Sequence, residues 1–206
     1  MRYLLSRAVI AAFLLAQVAA AIAAETPPSA VVETLHDSLI VTMQEAGTSP
    51  FDTRSGRLAP VVAESFDMLL IARVSMGRYW AKFDDDQRKE AVDALRRLTT
   101  ATYAGRFDDY SGEEFRVISE ESAPRGTVRV NSELITGDGD VIRIDYFLRS
   151  TTDGWRIFDV LLDSKYSELT LRRSEYSAPL RRGGLDGLLA EIEKKIASYN
   201  TSGAAK

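Results

Sequence analysis

The sequence predicts an α+β domain in which a four-stranded, curved antiparallel sheet is wrapped on one face by N-terminal and C-terminal helices. Helical patterns fill the first half of the chain and return at its end, and four strand-like segments lie between them. The turns between these segments are short, and parallel crossovers need a dozen or more residues, so the strands must pair in antiparallel order. Helices on either side of a meander of strands are typical of α+β domains.

The first 24 residues are predicted to be a signal peptide rather than part of the domain. Arg2 and Arg7 precede an apolar run over residues 8–18, and small residues follow it. This order is typical of secretory signals, and the run is short beside the roughly 20 residues of a membrane span. We therefore expect cleavage, a periplasmic location, a single domain over residues 25–197 and a flexible tail over residues 198–206.

The composition argues against several classes of function. Without Arg2 and Arg7 the 26 basic residues fall to 24 against 30 acidic ones, which leaves the mature chain with a net charge of −6. Such an acidic chain is a poor ligand for nucleic acid. The sequence contains no cysteine, and His36 is its only histidine, which argues against thiol catalysis, disulfides and a zinc site. We expect neither a cofactor nor a metal.

Hydrophobic spacing predicts two helices at the start of the domain. Apolar residues recur every four positions from Val31 to Met43 and predict a helix that ends at Gly47. The glycines and prolines of residues 47–60 predict a loop. Helical spacing resumes at Val61, with an apolar stripe that consists of Phe66, Leu69, Leu70 and Val74.

A third helix is predicted from a strong start signal. Asp84 is followed three residues later by Gln87, which is the spacing of a capping box. The helix is predicted to run to about Phe107. After the sheet, helical spacing over residues 169–182 and again over residues 185–196 predicts two further helices, which a pair of glycines separates.

The centre of the sheet is a predicted hairpin over residues 140–163. In its first strand, alternation places four apolar residues on one face, namely Ile142, Ile144, Tyr146 and Leu148. In its second strand, the same rule places Trp155, Ile157 and Leu161 on one face and Phe158, Val160 and Leu162 on the other. A strand that is apolar on both faces needs cover on both, or a ligand on one of them. The other two strands are predicted near residues 115–121 and 127–135.

Asp159 carries the one enzymatic hypothesis that the sequence supports. An acidic residue inside an apolar cone loses solvation, which raises its pKa and suits it to act as a base. Asp145 and Asp159 both lie on the central strands, but Asp145 shares its face with Arg143 and Arg149. Asp159 alternates with apolar residues instead. The alternative for Asp159 is a structural carboxylate that a neighbouring arginine or backbone amide satisfies.

Four stretches of the sequence together carry a resemblance to a known family: MGRYWAKFDDDQRKEAVDALRRL (Met76–Leu98), ATYAGRFDDYSGEEF (Ala101–Phe115), WRIFDVLLD (Trp155–Asp163) and SELTLRRSEYSAPLRRGGLDGLLAEIEKK (Ser167–Lys195). In order and spacing they resemble the MlaC-type family of periplasmic lipid-binding proteins, also called toluene-tolerance auxiliary proteins. The last stretch is more similar to the hopanoid-associated, HpnM-like branch. The resemblance implies an apolar cavity and a non-enzymatic carrier, which shuttles a phospholipid or hopanoid between an inner-membrane lipid transporter complex and an outer-membrane acceptor.

The resemblance further implies that lipid tails contact the sheet face and the helix stripes. The candidate lipid-binding residues are Phe66, Leu70, Leu95, Ile142, Ile144, Tyr146, Phe158, Val160 and Leu189. Periodicity alone does not separate a packed core from a lipid-filled cavity. Two alternatives therefore stay open: a cone-shaped α+β enzyme that acts on a small apolar substrate through Asp159, and a protein-interaction module with a fully packed core.

Overall fold

The computed structural model of the protein describes residues 26–203, and the side chains of residues 26–201. The predicted signal peptide, residues 1–24, lies outside the described residues. Five α-helices are found in the described part of the chain: α1 (Pro28–Gln44), α2 (Phe51–Ser65), α3 (Met68–Met76), α4 (Asp85–Arg106) and α5 (Glu168–Gly203). A short 3₁₀ helix, Gly77–Lys82, joins α3 to α4.

The sheet has five strands in the described residues, whereas the sequence predicts four. The strands are β1 (Glu114–Ala123), β2 (Thr127–Ile135), β3 (Val141–Thr151), β4 (Gly154–Leu162) and β5 (Tyr166–Ser167). They form an open meander in which each strand pairs antiparallel with the next. The α+β class and the antiparallel order are thus confirmed. Strand β5 was not predicted, because two residues are too few to show a period-two pattern.

The segment that was predicted to be a loop over residues 47–60 is largely helical. Helix α2 begins at Phe51 and continues through Pro60. A proline inside a helix removes one backbone hydrogen bond. Here Leu58 and Val62 are buried on the inner side of α2, and this burial outweighs the local signals for a loop. The capping box predicted at the start of α4 is confirmed, because Asp84 and Gln87 each bind the other's backbone amide.

Helices α2 and α3 are separate, although the sequence suggests one continuous pattern. Phe66 is extended between them and forms a parallel bridge with Ile157 of β4. The next residue, Asp67, caps α3 by accepting a hydrogen bond from the amide of Leu70, 2.9 Å away. The buried carboxylate of Asp67 also forms an ion pair with Arg149 of β3. These contacts fix Phe66 against the sheet.

The predicted assignment of residues to the two faces of β4 is wrong, because the strand contains a β-bulge. Phe147 of β3 pairs with Asp159, but the next residue, Leu148, pairs with Ile157, so Phe158 is the inserted residue. An inserted residue reverses the alternation beyond it. Ile157 and Val160 therefore share the inner face, where 0% and 6% of each is exposed, although strict alternation predicts them on opposite faces.

The C-terminal element α5 consists of two helical segments joined by a sharp kink. Gly183 and Gly184 interrupt its helical dihedral angles, which confirms the break that the sequence predicts at this position. The helix then continues to Gly203, past residue 198, where the sequence analysis starts a flexible tail. Tyr199 packs over Gly105 of α4 so closely that a Cβ atom at Gly105 would lie 2.5 Å from its ring.

The helices cover the inner face of the sheet, which carries Ile144, Tyr146 and Leu148. The outer face of β3 is polar: Asp145 is buried there beneath an ion pair with Arg129 of β2. No helix within residues 26–203 is long and apolar enough to cross a membrane.

Candidate functional site

A cavity of about 230 Å³ lies between the inner face of the sheet, helix α4 and the start of α5. Its lining is mainly apolar, and its polar groups come from the end of α4, the end of β4 and the first turns of α5. The lining residues are Phe66, Ile71, Thr102, Tyr103, Arg106, Phe107, Leu134, Ile142, Ile144, Tyr146, Phe158, Asp159, Val160, Leu162, Glu168, Leu169 and Arg172.

The floor of the cavity is an uncharged surface on β3 and β4. Ile144, Tyr146 and Val160 are at most 6% exposed and all border the cavity. The hydroxyl of Tyr146 lies 3.1 Å from Nε2 of His36 on α1, so its polar end is satisfied away from the cavity. Burial raises the pKa of Tyr146 and lowers the pKa of His36 to about 4. Both side chains are therefore neutral near pH 7.

One wall of the cavity is aromatic. The ring centroid of Tyr103 on α4 lies 5.8 Å from that of Phe66 and 6.0 Å from that of Phe107, on which it stacks. Phe107 is the C-cap residue that directly follows α4. Buried Arg54 of α2 donates hydrogen bonds to the carbonyl oxygens of Ala104 and Phe107, at 2.9 and 3.3 Å. The guanidinium thereby satisfies backbone groups that a helix end leaves unpaired.

Charged side chains lie together where α4 and α5 meet at the cavity. Arg106 of α4 forms an ion pair with Glu168, the first residue of α5, at 3.0 Å. Arg172, one turn further along α5, donates a hydrogen bond to the hydroxyl of Thr99 at 3.1 Å. All three charged residues border the cavity. We call Arg106, Glu168 and Arg172 the charged rim.

Asp159 serves as an anchor for the start of α5. Its Oδ2 accepts a hydrogen bond from the hydroxyl of Ser167 at 2.7 Å, and its Oδ1 accepts from the amide of Leu169 at 3.0 Å and from its neighbour Val160 at 2.9 Å. Ser167 in turn accepts from the amide of Thr170 and caps the helix. A general base needs a free oxygen aimed at its substrate. Both oxygens of Asp159 instead accept hydrogen bonds from two backbone amides and from the Ser167 hydroxyl at the start of α5.

The structure brings six of the nine candidate residues to the cavity. They are Phe66, Ile142, Ile144, Tyr146, Phe158 and Val160. Phe158 is half-buried at the bulge, with its ring centroid 6.3 Å from that of Phe147. Leu70 and Leu189 are half-buried elsewhere, and Leu95 is fully buried in the core. None of these three borders the cavity. They were wrongly expected there because helical spacing predicts which face of a helix is apolar, but not whether a cavity or packed side chains lie opposite each turn.

Several lining residues were not among the candidates. They include Tyr103, Phe107 and Leu169, together with the three residues of the charged rim. Residues 102, 103, 106 and 107 recur at intervals of three and four, and thus share one face of α4 near its end. That spacing was readable in the sequence. Within residues 26–203, no group of three acidic or histidine side chains is arranged to hold a metal ion.

An antiparallel meander covered on one face by helices, with an apolar cavity between the two layers, is an α+β fold suited to enclosing a ligand. The chain belongs to the MlaC protein family, since the sequence profile of that family matches residues 33–194. This confirms the resemblance at the level of the family.

A solved structure has a similar fold. It is that of the phospholipid-binding protein from Ralstonia solanacearum in complex with a phospholipid, and it superposes with a TM-score of 0.72. The two sequences are 19% identical over a match that covers 84% of this chain and 99% of that one. At this identity, the likeness is one of fold.

Proposed function

We propose that this protein is a periplasmic lipid carrier that encloses the tails of a phospholipid or hopanoid in the apolar cavity. The observation that carries the proposal is the cavity itself, with its uncharged floor of Ile144, Tyr146 and Val160 and its aromatic wall. Membership in the MlaC family and the fold shared with a phospholipid-binding protein support it. The lipid would pass between an inner-membrane transporter complex and an outer-membrane acceptor.

The cost of exposing a lipid tail to water explains why a carrier must enclose it. At about 0.8 kcal/mol per CH₂ group, exposing a chain of about 16 carbons to water costs about 12 kcal/mol of free energy. Release into water is therefore slow, and a partner must open the cavity at delivery. Nothing in this cycle breaks a covalent bond, so no catalytic residue is required.

The cavity must widen to accept a lipid. Its volume of about 230 Å³ lies below the roughly 300–1,000 Å³ of sites that enclose small molecules. The polar contacts that hold α5 at the cavity are the hydrogen bonds of Asp159, the hydrogen bond from Arg172 to Thr99 and the ion pair between Arg106 and Glu168. Of these, the ion pair is half-exposed and is the weakest restraint.

The charged rim favours a phospholipid over a hopanoid. A phosphate group emerging from the cavity would meet Arg106 and Arg172, and guanidinium groups bind phosphate through paired hydrogen bonds. A hopanoid offers these arginines no anion. The extracted ligand of the purified protein distinguishes the two by mass.

Filling the cavity tests the proposal. We expect Val160→Trp to abolish the co-purification of lipid, because the indole would occupy the space between the sheet and α5. Overpacking costs about 1–3 kcal/mol, so the smaller change Val160→Phe is made in parallel. Val41→Trp serves as the matched control, since Val41 is 48% exposed on α1. Lipid content is measured by mass spectrometry, and folding by circular dichroism. A folded Val160→Trp protein with normal lipid content would contradict the proposed wall.

A further inference from the structure

A second concave site lies where the end of α3 meets the middle of α5. It is a groove of about 280 Å³, lined by Ser75, Met76, Gly77, Arg78, Tyr79, Arg173, Ser177, Leu180 and Arg181. Three of these nine residues are arginines, and none is acidic. We call Arg78, Arg173 and Arg181 the arginine cluster.

The arginine cluster lacks carboxylate partners, which ten other arginines of the described residues have. Within the described residues, no carboxylate forms an ion pair with any of the three, whereas Arg106 pairs with Glu168 and the adjacent Arg182 lies 3.9 Å from Glu191. The mature chain carries more acidic than basic residues, 30 against 24. Carboxylates are thus plentiful in the chain but absent from this groove, which leaves a local excess of positive charge.

The fold brings the cluster together from two directions. Arg173, Ser177 and Arg181 are four residues apart in turn and so follow one face of α5. On the opposite side, α3 ends at Met76, and Gly77 turns the chain with φ of +55°. That turn places Arg78 and Tyr79 across the groove from α5.

Tyr79 adds a neutral donor to the groove. One amino group of Arg78 donates a hydrogen bond to the hydroxyl oxygen of Tyr79 at 3.4 Å. The phenolic oxygen therefore accepts, and its own proton is free to bind an anion. The exposed guanidinium groups of Arg173 and Arg181 offer planar pairs of N–H donors that match the spacing of phosphate oxygens.

We propose that this groove is a binding site for a phosphate group, either inorganic phosphate or the phosphate of an anionic lipid at a membrane surface. The site is separate from the apolar cavity and does not depend on lipid carriage. Arg172 borders the cavity, and the next residue, Arg173, lines the groove. A lipid phosphate held in the groove would therefore orient the rim of the cavity beside the membrane.

The test uses the full mature chain and two probes. Inorganic phosphate is titrated by isothermal calorimetry, and vesicles of phosphatidylcholine with or without phosphatidylglycerol are tested by sedimentation. We expect Arg173→Gln with Arg181→Gln to weaken binding by about tenfold or more, since each removes a charge-assisted donor pair. Arg125→Gln with Lys194→Gln removes the same charge from exposed positions elsewhere and should leave binding unchanged.

A charge-conserving variant separates a built site from general attraction. Arg173→Lys with Arg181→Lys keeps the positive charge but removes the planar guanidinium groups. We therefore expect this variant to bind almost as weakly as the double glutamine variant. Phosphate binding without preference for phosphatidylglycerol vesicles assigns the groove to free phosphate, and binding of both probes assigns it to lipid phosphate. Three results would overturn the proposal. They are equal losses of binding in the test and control variants, full binding by the lysine variant, and a lack of saturable binding of either probe.

Discussion

The interface between the sheet and the helices contains two neighbouring regions that share residue types but differ in filling. Under α1 and α2, the side chains of Leu35, Leu39 and Leu58 are at most 1% exposed, and none borders the cavity. Under the start of α5, equally apolar residues of β3 and β4 surround open volume. Tyr146 belongs to both regions, because its ring borders the cavity and its hydroxyl contacts His36.

The difference between these regions lies in what holds the covering helix. Helix α1 lies on the sheet through apolar side chains and the buried contact of His36 with Tyr146. The start of α5 packs its half-buried Leu169 against the core, but it is otherwise held by polar contacts: the bonds to Asp159, the hydrogen bond from Arg172 to Thr99 and a half-exposed ion pair. Polar contacts at a rim can be exchanged for water at low cost, whereas buried apolar contacts cannot. The second region is thus the one suited to opening.

The largest expected contrast is in stability. Leu35→Ala removes a fully buried side chain from the filled region and should lower the free energy of unfolding by about 2–5 kcal/mol. Val160→Ala enlarges a cavity that already exists and should cost clearly less. Denaturant unfolding of both variants measures the contrast. Equal losses would show that the cavity wall is packed as tightly as the region under α1.

Acid should destabilise the protein through His36. The unfolded side chain takes up a proton near pH 6.5, but the folded one does so only near pH 4. The unfolded state therefore binds more protons between these values, so stability falls as the pH drops from about 6.5 to about 4, by about 3 kcal/mol in total.

The pH effect can be assigned because His36 is the only histidine. His36→Gln keeps a hydrogen-bonding group toward Tyr146 but does not titrate, so its unfolding free energy should vary less over the same range. The acidic residues beside His36, namely Glu33, Asp37, Glu113 and Glu114, are present in both proteins. Parallel pH profiles of the two proteins would contradict the role of His36.

Removing the carboxylate of Asp159 should have a smaller effect. Asp159→Ala loses the bonds to Ser167 and Leu169 and should cost about 1–2 kcal/mol, in the range for a lost helix cap. Asp159→Asn keeps one acceptor oxygen and should cost less. Unfolding curves give the ranking. Turnover of a small apolar substrate by the wild type, lost in Asp159→Asn at full stability, would instead favour the enzyme hypothesis.

The smallest effect on stability is expected at the charged rim. Glu168→Gln breaks the ion pair with Arg106, which should cost no more than about 1 kcal/mol because the pair is half-exposed. Lipid uptake from vesicles should become faster, since α5 is less restrained. Glu193→Gln is the control, as it breaks another ion pair between α4 and α5, with Arg97, away from the cavity. Equal uptake rates in both variants would place the opening elsewhere.

The sequence predicted most of the sheet but only part of the cavity. Alternation along β3 placed Ile142, Ile144 and Tyr146 on one face, and all three border the cavity. The bulge at Phe158 was not predicted, because an inserted residue leaves no mark in the spacing of a strand that is apolar on both sides. Helix α2 was not predicted over residues 51–60, because its proline favours a loop locally, whereas packing in the tertiary fold stabilises the helix.

The polar residues around the cavity were the hardest to predict. Arg106 and Glu168 are 62 positions apart in the chain, and neither has a sequence pattern that marks it as a rim residue. Asp159 was considered both as a base and as a structural carboxylate, and its contacts depend on Ser167 and Leu169, whose positions depend on how α5 begins. Contacts between distant elements require the tertiary fold, which local spacing does not contain.

The proposal of lipid carriage is tested by mass spectrometry of the purified protein, in its native state and after solvent extraction. We expect a lipid to co-purify in a stoichiometric ratio, and we expect it to be lost in Val160→Trp and retained in Val41→Trp. The mass of a phospholipid would support phosphate binding by the charged rim. The mass of a hopanoid would still support lipid carriage, but it would contradict the proposed role of Arg106 and Arg172. A clean protein mass, with no uptake from lipid vesicles, would contradict lipid carriage.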